Sequence, residues 1–111
     1  MASSKDFLEF VLEQLSMLDD ITYRAMMGEY VIYYRGKVVG GIYDNRLLVK
    51  PTKSMLKIML NAKMEIPYPG GKPMVMIPDI ENSELLAKVF NTLYRELPDN
   101  QKKEKNDHKT K

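Results

Sequence analysis

The stretch from residue 24 to residue 50 constrains the fold of this chain more than any other segment. Three runs in it are rich in Val, Ile, Leu and Tyr, which favour β-strands: residues 29–34, 38–43 and 46–50. Asp44-Asn45 separates the last two runs, and both residue types tolerate the positive φ of a type I′ turn. Arg35-Gly36 reverses the chain between the first two. The stretch predicts a three-stranded antiparallel meander.

The Asp44-Asn45 turn also predicts which side chains share a face of the sheet. A two-residue loop pairs Ile42 with Leu47 and Gly40 with Val49, and strand alternation adds Val38 to this first face, the expected core. The second face then carries Val39, Gly41, Tyr43, Arg46, Leu48 and Lys50. Residues 29–34 add further side chains to this second face. These are either Tyr30, Ile32 and Tyr34 or Val31 and Tyr33, depending on whether the Arg35-Gly36 loop is regular or bulged.

This second face is too apolar for a sheet with one side in water, which should alternate more sharply. We therefore expect something to cover it, either a helix of the same chain or a second copy. If two copies form a homodimer, we expect them to associate through Tyr43 and Leu48 on this face.

Three helices are predicted around the strands. Ser3 or Ser4 caps the first helix, which should end by Leu18, and Thr52 caps a short second one. Asp79 is expected to cap the last helix, which Pro98 stops. Two short extended pieces, residues 65–68 and 73–77, lie between the second and third helices, and their prolines suit an edge or a loop. The order α-β(3)-α-β(2)-α predicts an α+β two-layer sandwich with an antiparallel sheet.

Charge and composition divide the chain into a domain and a tail. Residues 1–97 carry twelve Lys/Arg and twelve Asp/Glu, so the formal charge of +2 lies in the Lys-rich remainder. We predict one domain over residues 1–98 and a disordered tail over residues 99–111. A neutral body makes DNA binding by the folded part unfavourable, because such binding uses many phosphate contacts. The chain has no Cys, and we expect no signal peptide, no membrane span and a cytoplasmic location.

Few residues suggest chemistry. His108 stands alone in the tail, and turn or cap roles explain Asp19-Asp20 and Asp44, so we predict no catalytic residue, no metal site and no cofactor. Lys72 beside the turn at 70–71, with Lys50 nearby, is a candidate anion site. Four sheet tyrosines could stack nucleic-acid bases: Tyr30, Tyr33, Tyr34 and Tyr43. Met26-Met27, before the first strand, forms a soft apolar surface for a partner.

The order and spacing of several motifs resemble the N-terminal domain of the TfoX/Sxy family over residues 5–97. The matching motifs are Arg24-x-Met26-Met27-Gly28-x-Tyr30, Tyr34-x-Gly36, Gly40-Gly41-x-Tyr43, Leu47-x-Val49-Lys50, Gly71-Lys72, Met74 and Pro78-Asp79. Met27 stands where the family usually has an aromatic residue, and Glu29 where it usually has Gly. The Lys-rich tail replaces the family's separate C-terminal helical domain, so a stand-alone TfoX-N-like protein is expected.

This resemblance implies a fold similar to secretion-chaperone-like domains and an interaction role without catalysis. Full-length members act in natural competence, where they assist a cyclic-AMP-responsive activator at particular promoters, so the transcription machinery is one implied partner. The candidate interaction residues are Arg24, Met26, Met27, Gly28, Tyr30, Tyr43, Leu48 and Lys50. Two alternatives stay open: a nucleic-acid-binding protein that uses the tail and the sheet tyrosines, and a small anionic-ligand-binding domain around Lys50 and Lys72.

Overall fold

The computed structural model describes residues 3–59 and 61–98, so the predicted tail at 99–111, with His108, lies outside the described residues. Its elements are α1 (Lys5–Gln14), β1 (Ile21–Met26), β2 (Glu29–Tyr34), β3 (Lys37–Ile42), β4 (Leu47–Val49), α2 (Lys53–Ile58), β5 (Lys63–Glu65), β6 (Met74–Met76) and α3 (Ser83–Glu96). The six strands form one antiparallel sheet in the order β1-β2-β3-β4-β6-β5. The predicted α+β class is confirmed.

The predicted helix starts are right for the first two helices and wrong for the third. Ser4 accepts a hydrogen bond from the Phe7 N–H at 3.1 Å, and Thr52 caps α2. In α3 the cap is Asn82 rather than Asp79, because the Asn82 amide oxygen accepts from the Leu85 N–H at 3.0 Å. Helix α1 ends at Gln14, within the predicted limit of Leu18, and i→i−3 hydrogen bonds replace the α-helical pattern beyond it.

The meander has four strands rather than three, because β1 precedes the predicted ones. Strand β1 pairs with β2 over its whole length, from Ile21 opposite Tyr34 to Met26 opposite Glu29. A two-residue turn joins them, in which Met27 and Gly28 have φ of 52° and 85°. Met27 gives little sequence signal for this turn, since non-glycine residues with positive φ are usually Asn or Asp.

The predicted pairing around the Asp44-Asn45 turn is confirmed. Both turn residues have positive φ, 54° and 55°, as a type I′ turn requires. Ile42 lies opposite Leu47 and Gly40 lies opposite Val49.

The assignment of Val38 and Val39 to sheet faces is wrong, because a β-bulge interrupts β3. The Arg35-Gly36 loop is regular, with Tyr34 opposite Lys37, but Ile32 pairs with Gly40 while Tyr33 pairs with Val38. Val39 is therefore the extra, unpaired residue of the bulge, and its side chain is fully buried in the core on the helix side of the sheet. A bulge breaks the two-residue alternation, so Val38 faces the opposite side.

All three helices pack on one face of the sheet and form the core with it. The buried residues include Leu8 and Val11 of α1, Met55 of α2, and Leu86 and Phe90 of α3. No helix within the described residues is long and apolar enough to cross a membrane.

Strand β6 lies inside the sheet between β4 and β5, and its flanking prolines stand outside the paired residues. The expectation that this proline-rich region forms only an edge or a loop therefore holds for β5 and the connecting loop, but not for β6. Strand β5 pairs with the outer side of β6, so the loop between them starts at the edge of the sheet.

Candidate interaction cleft

The second face of the sheet, opposite the helices, is covered over its centre by the loop of residues 66–73. The ring of Tyr68 in this loop packs on the ring of Tyr43, with centroids 6.0 Å apart. Tyr43 is 7% exposed, and Leu48 on the same face is fully buried. The prediction that this face needs a cover is met by a loop, and neither a helix nor a second copy is needed at its centre.

Local contacts fix the start and the tip of this loop. At its start, the Arg46 guanidinium lies 2.6 Å from a Glu65 carboxylate oxygen, an ion pair in which both side chains are about three-quarters shielded from water. At its tip, the Gly71 N–H donates to the Tyr68 carbonyl at 2.9 Å, and Gly70 has a φ of 86°. The turn needs glycine at residue 70, because L-residues rarely adopt that φ.

Between the loop and the sheet runs a cavity of about 690 Å³, which we name the sheet–loop cleft. Its lining is mostly apolar and comes from the sheet, the loop and the end of α3: Met26, Val31, Val38, Gly40, Tyr43, Lys50, Pro51, Pro67, Tyr68, Gly70, Gly71, Lys72, Pro73, Met74 and Leu97. Pockets of this kind, apolar with a few placed polar groups, are where proteins usually bind ligands.

Both charged side chains among the described residues that line the cleft are positive. Lys50 and Lys72 line it, whereas none of the described residues in its lining is acidic. The Lys50 backbone N–H donates to the Val39 carbonyl at 2.9 Å, which extends the pairing of β3 and β4 and fixes where the Lys50 side chain starts. The structure thus brings the two predicted anion-site lysines to one cavity, although they are 22 residues apart in the sequence.

Burial raises the pKa of the Tyr43 phenol above its ordinary range, because the ionised form would lose its hydration under the loop. Charge interactions with Tyr68, Glu29 and Tyr33 add to the same direction. Tyr43 therefore serves as a neutral, largely apolar part of the cleft floor at physiological pH.

The eight predicted interaction residues divide into three groups. Met26, Tyr43 and Lys50 line the cleft. Arg24 and Met27 are exposed at the β1–β2 hairpin, and Met27 at its tip is 97% exposed.

The remaining three predicted residues have structural contacts. The Gly28 carbonyl accepts from the Ser3 N–H at 2.9 Å. Tyr30 packs partly buried on the helix side, with its ring 5.9 Å from that of Tyr23 in an edge-to-face contact. Leu48 is fully buried, so it offers no surface to a partner in this structure.

The four sheet tyrosines do not form a common stacking platform. Tyr30 and Tyr34 lie on the helix side, where Tyr34 is buried against Phe90 and donates its hydroxyl to the Asn91 side chain at 2.7 Å. Tyr43 lies on the opposite side under the loop. Because base stacking needs aromatic rings on one accessible surface, the platform part of the nucleic-acid alternative is wrong.

The paired glycines are explained by close packing. A Cβ on Gly40 would stand 2.2 Å from the Leu48 carbonyl oxygen, and one on Gly41 would stand 2.5 Å from the Tyr30 carbonyl oxygen. The described residues contain no group of three potential metal ligands, and Asp44 occupies the turn predicted for it.

Sequence reasoning missed Pro67 and Tyr68 as parts of the cleft. The segment at 66–69 alternates apolar residues with prolines, which signals an extended loop but not the surface on which it lies. The ring contact with Tyr43, 25 residues earlier, is a long-range feature that no local pattern predicts.

A six-stranded antiparallel sheet, with helices on one face and a loop-covered cleft on the other, defines a two-layer α+β domain. The sequence matches the model of the TfoX N-terminal domain over residues 13–102, and the chain belongs to this family. The resemblance read from the motifs is thereby confirmed.

One curated relative shares much of the sequence. It is the "Uncharacterized 12.7 kDa protein in trpE 5′ region" of Spirochaeta aurantia, 35% identical over 80 residues, which make up 72% of this chain and 70% of the relative. No solved structure matches this chain.

Proposed function

We propose that this protein is a non-catalytic protein-interaction domain whose sheet–loop cleft receives an extended segment of a partner protein. The observation that carries the proposal is the lining of the cleft, with an apolar floor, two lysines and no acidic residue among the described ones. A segment that suits it carries an apolar side chain for the floor and a nearby carboxylate for Lys50 and Lys72.

Two exposed side chains support a peptide as the occupant. Tyr68 is 52% exposed on the loop and Met26 is 42% exposed at the other side of the cleft. Aromatic residues carry much of the binding energy in protein interfaces, and the flexible Met side chain adapts to different partners. A partner side chain between Tyr68 and Met26 would remove apolar surface of both from water.

Family membership supports a role in the regulation of transcription. The TfoX/Sxy resemblance implies regulators of competence genes, so we propose a transcription regulator in the cytoplasm as the partner. On this proposal the domain contributes binding alone, and the partner carries the contact with DNA.

Peptide display on the immobilised full chain tests the proposal, with random peptides as the probe and fluorescence anisotropy of the enriched peptides as the readout. We expect enriched peptides to combine an apolar residue with Asp, Glu or a free carboxyl terminus. Tyr68→Ala should weaken their binding about tenfold or more. Lys72→Ala should weaken it roughly fivefold, and added salt should reduce that difference.

Lys57→Ala is the matched control, because Lys57 is exposed on α2 and does not line the cleft. The proposal is overturned if no peptide is enriched, or if the enriched peptides bind the Tyr68 and Lys72 variants as tightly as the unchanged chain.

A small anionic ligand is the second candidate, favoured by the presence of Lys50 and Lys72 in one cavity. Inorganic phosphate distinguishes the two functions. If phosphate binds in a manner that Lys72→Ala abolishes and Tyr68→Ala does not affect, while no peptide is enriched, the cleft is an anion site rather than a peptide site.

A further inference from the structure

Strand β1 is an edge of the sheet without the features that usually protect edges. It lies at one end of the strand order, and its residues from 22 to 26 are all exposed. Natural edge strands are commonly short, carry Lys or Pro, or are covered by other elements. Ile21–Met26 is six residues long and contains one charge, Arg24, and no proline.

The hydrogen-bonding direction of each β1 residue follows from its pairing with β2. The Arg35 N–H donates to the Asp20 carbonyl at 3.0 Å, just beyond the pair of Ile21 and Tyr34. Antiparallel pairs alternate between hydrogen-bonded and non-hydrogen-bonded positions. The even-numbered residues of β1 therefore bond inward to β2, and the N–H and C=O groups of Ile21, Tyr23 and Ala25 point outward from the sheet edge.

We propose that two copies of this chain associate by antiparallel pairing of β1 with β1, with the two-fold axis at Tyr23. A two-fold axis normal to the sheet places the helices of both copies on the same side of the joined sheet. With the axis at Tyr23, the backbone groups that point outward from one β1 strand form hydrogen bonds with those of the other. Tyr23 then pairs with Tyr23 of the second copy, and Ile21 pairs with its Ala25. The six strands of each copy join into one continuous sheet.

The charges at this edge are complementary in that register. Arg24 lies opposite Thr22 of the second copy and diagonal to its Asp20, a spacing that long side chains bridge in antiparallel sheets. The two-fold axis repeats this pair of opposite charges. A register centred on Arg24 would place two arginines directly opposite each other, which is unfavourable.

An apolar groove beside the edge also has an occupant in this arrangement. The groove has a volume of about 550 Å³ and is lined by Leu12, Leu15, Leu18 and Ile21, among others. The register places Met27 of the second copy level with Asp19, next to this groove. Met27 is 97% exposed in the single chain, so burying it there would remove a fully hydrated apolar side chain from water.

Analytical ultracentrifugation of the full chain over a dilution series from about 1 µM to 1 mM tests this inference, because a small edge interface is expected to dissociate in that range. We expect the mass to rise with concentration from the 12.9 kDa of one chain towards twice that value. Ala25→Pro should keep the chain monomeric, because it removes an outward N–H and leaves the pairing with β2 intact.

Ala25→Val is the matched control, since it changes the same side chain and keeps the N–H. Hydrogen exchange supplies a second readout that does not depend on how well the proline variant folds. The amides of Ile21, Tyr23 and Ala25 should become protected as the concentration of the unchanged chain rises.

Three results would overturn the inference: a monomer at every concentration, a dimer that Ala25→Pro leaves unaffected, or a dimer in which the β1 amides exchange at the monomer rate. The cleft proposal is tested by variants at other residues, so failure of one leaves the other standing.

Discussion

Lys37 connects the start of β3 to the end of α3. Its ammonium group donates to the Tyr94 carbonyl at 2.7 Å and to the Leu97 carbonyl at 2.8 Å, and lies 4.4 Å from the centre of the Tyr94 ring. The last carbonyls of a helix lack partners within the helix and carry partial negative charge. Lys37 therefore caps α3 from outside.

Lys37→Met should lower the free energy of unfolding by about 2 kcal/mol, because it keeps most of the aliphatic stem and removes both charged hydrogen bonds. Urea denaturation of the full chain measures this loss. Lys88→Met, at an exposed position in the middle of α3, is the control and should change stability by less than about 0.5 kcal/mol. Equal effects of the two variants would show that Lys37 does not cap the helix.

Glu29 is a second residue whose role depends on distant contacts. Its carboxylate accepts hydrogen bonds from the Ser3 hydroxyl and from the Asp44 N–H at 3.1 Å, and Ser3 in turn accepts from the Asn45 N–H at 2.9 Å. The N-terminal segment, the start of β2 and the turn between β3 and β4 are thereby joined. These hydrogen bonds explain why a carboxylate fits at residue 29, where the TfoX N-terminal family usually has Gly.

At the scale of elements, the pairing of β3 with β4 requires the absence of a side chain at Gly40. The nearest atoms to a Cβ there are backbone atoms of Leu48 and Val49, at 2.2 and 2.8 Å, which cannot rotate away as side-chain atoms do. The adjacent bulge at Val39 leaves little freedom to shift β3, because Val39 is fully buried.

Gly40→Ala should therefore lower the free energy of unfolding by about 3 kcal/mol, the upper part of the range for overpacked sites. Gly36→Ala provides the comparison, because a Cβ at Gly36 meets no atom within 4 Å and only the positive φ of 84° opposes it. That variant should cost about 1 kcal/mol. If urea denaturation gives Gly40→Ala the smaller loss of the two, the close approach of the strands is not what requires glycine.

At the scale of the whole molecule, the loop at 66–73 completes the structure by covering the second face of the sheet. Tyr43 reports this cover, because its raised pKa is caused first by burial and next by the neighbouring Tyr68. The folded state favours the neutral phenol of Tyr43. The contribution of Tyr43 to stability is therefore fully present below the pKa of its phenol in the unfolded state, about 10. That contribution is lost as the pH rises through the higher pKa of the folded state.

Spectrophotometric titration of the full chain and of Tyr43→Phe tests this, since the difference between the two curves isolates Tyr43. We expect the midpoint of the difference curve above pH 10.0, the ordinary value. In a Tyr68→Ala background the midpoint should move towards that value, because burial and the Tyr68 contribution both decrease. A midpoint at or below 10.0 in the unchanged chain would mean that the loop does not cover Tyr43.

Part of the candidate site could be predicted from the sequence, because Met26, Tyr43, Lys50 and Lys72 all line the cleft. Lys50 and Lys72 were expected to lie near each other, and both line the cleft. Pro67 and Tyr68 gave no such signal, because an extended proline-rich loop can pack on any apolar surface. The interaction role of Tyr43 and Leu48 stays a prediction, and their burial assigns them first to packing.

The sequence by itself determined the features that depend on neighbouring residues: the Asp44-Asn45 turn, the pairing of Ile42 with Leu47, the Ser4 and Thr52 caps, and the α+β class. Turn chemistry and hydrophobic periodicity act over a few residues, so they can be read along the chain. Only the tertiary structure decided the bulge at Val39, the addition of β1 and the position of the loop over Tyr43. The loop over Tyr43 depends on a contact between residues 25 apart in the sequence. The bulge and β1 lie in hairpins between neighbouring segments, but Met27 is an unusual residue for the β1–β2 turn, and burial of Val39 in the core overrides regular strand alternation.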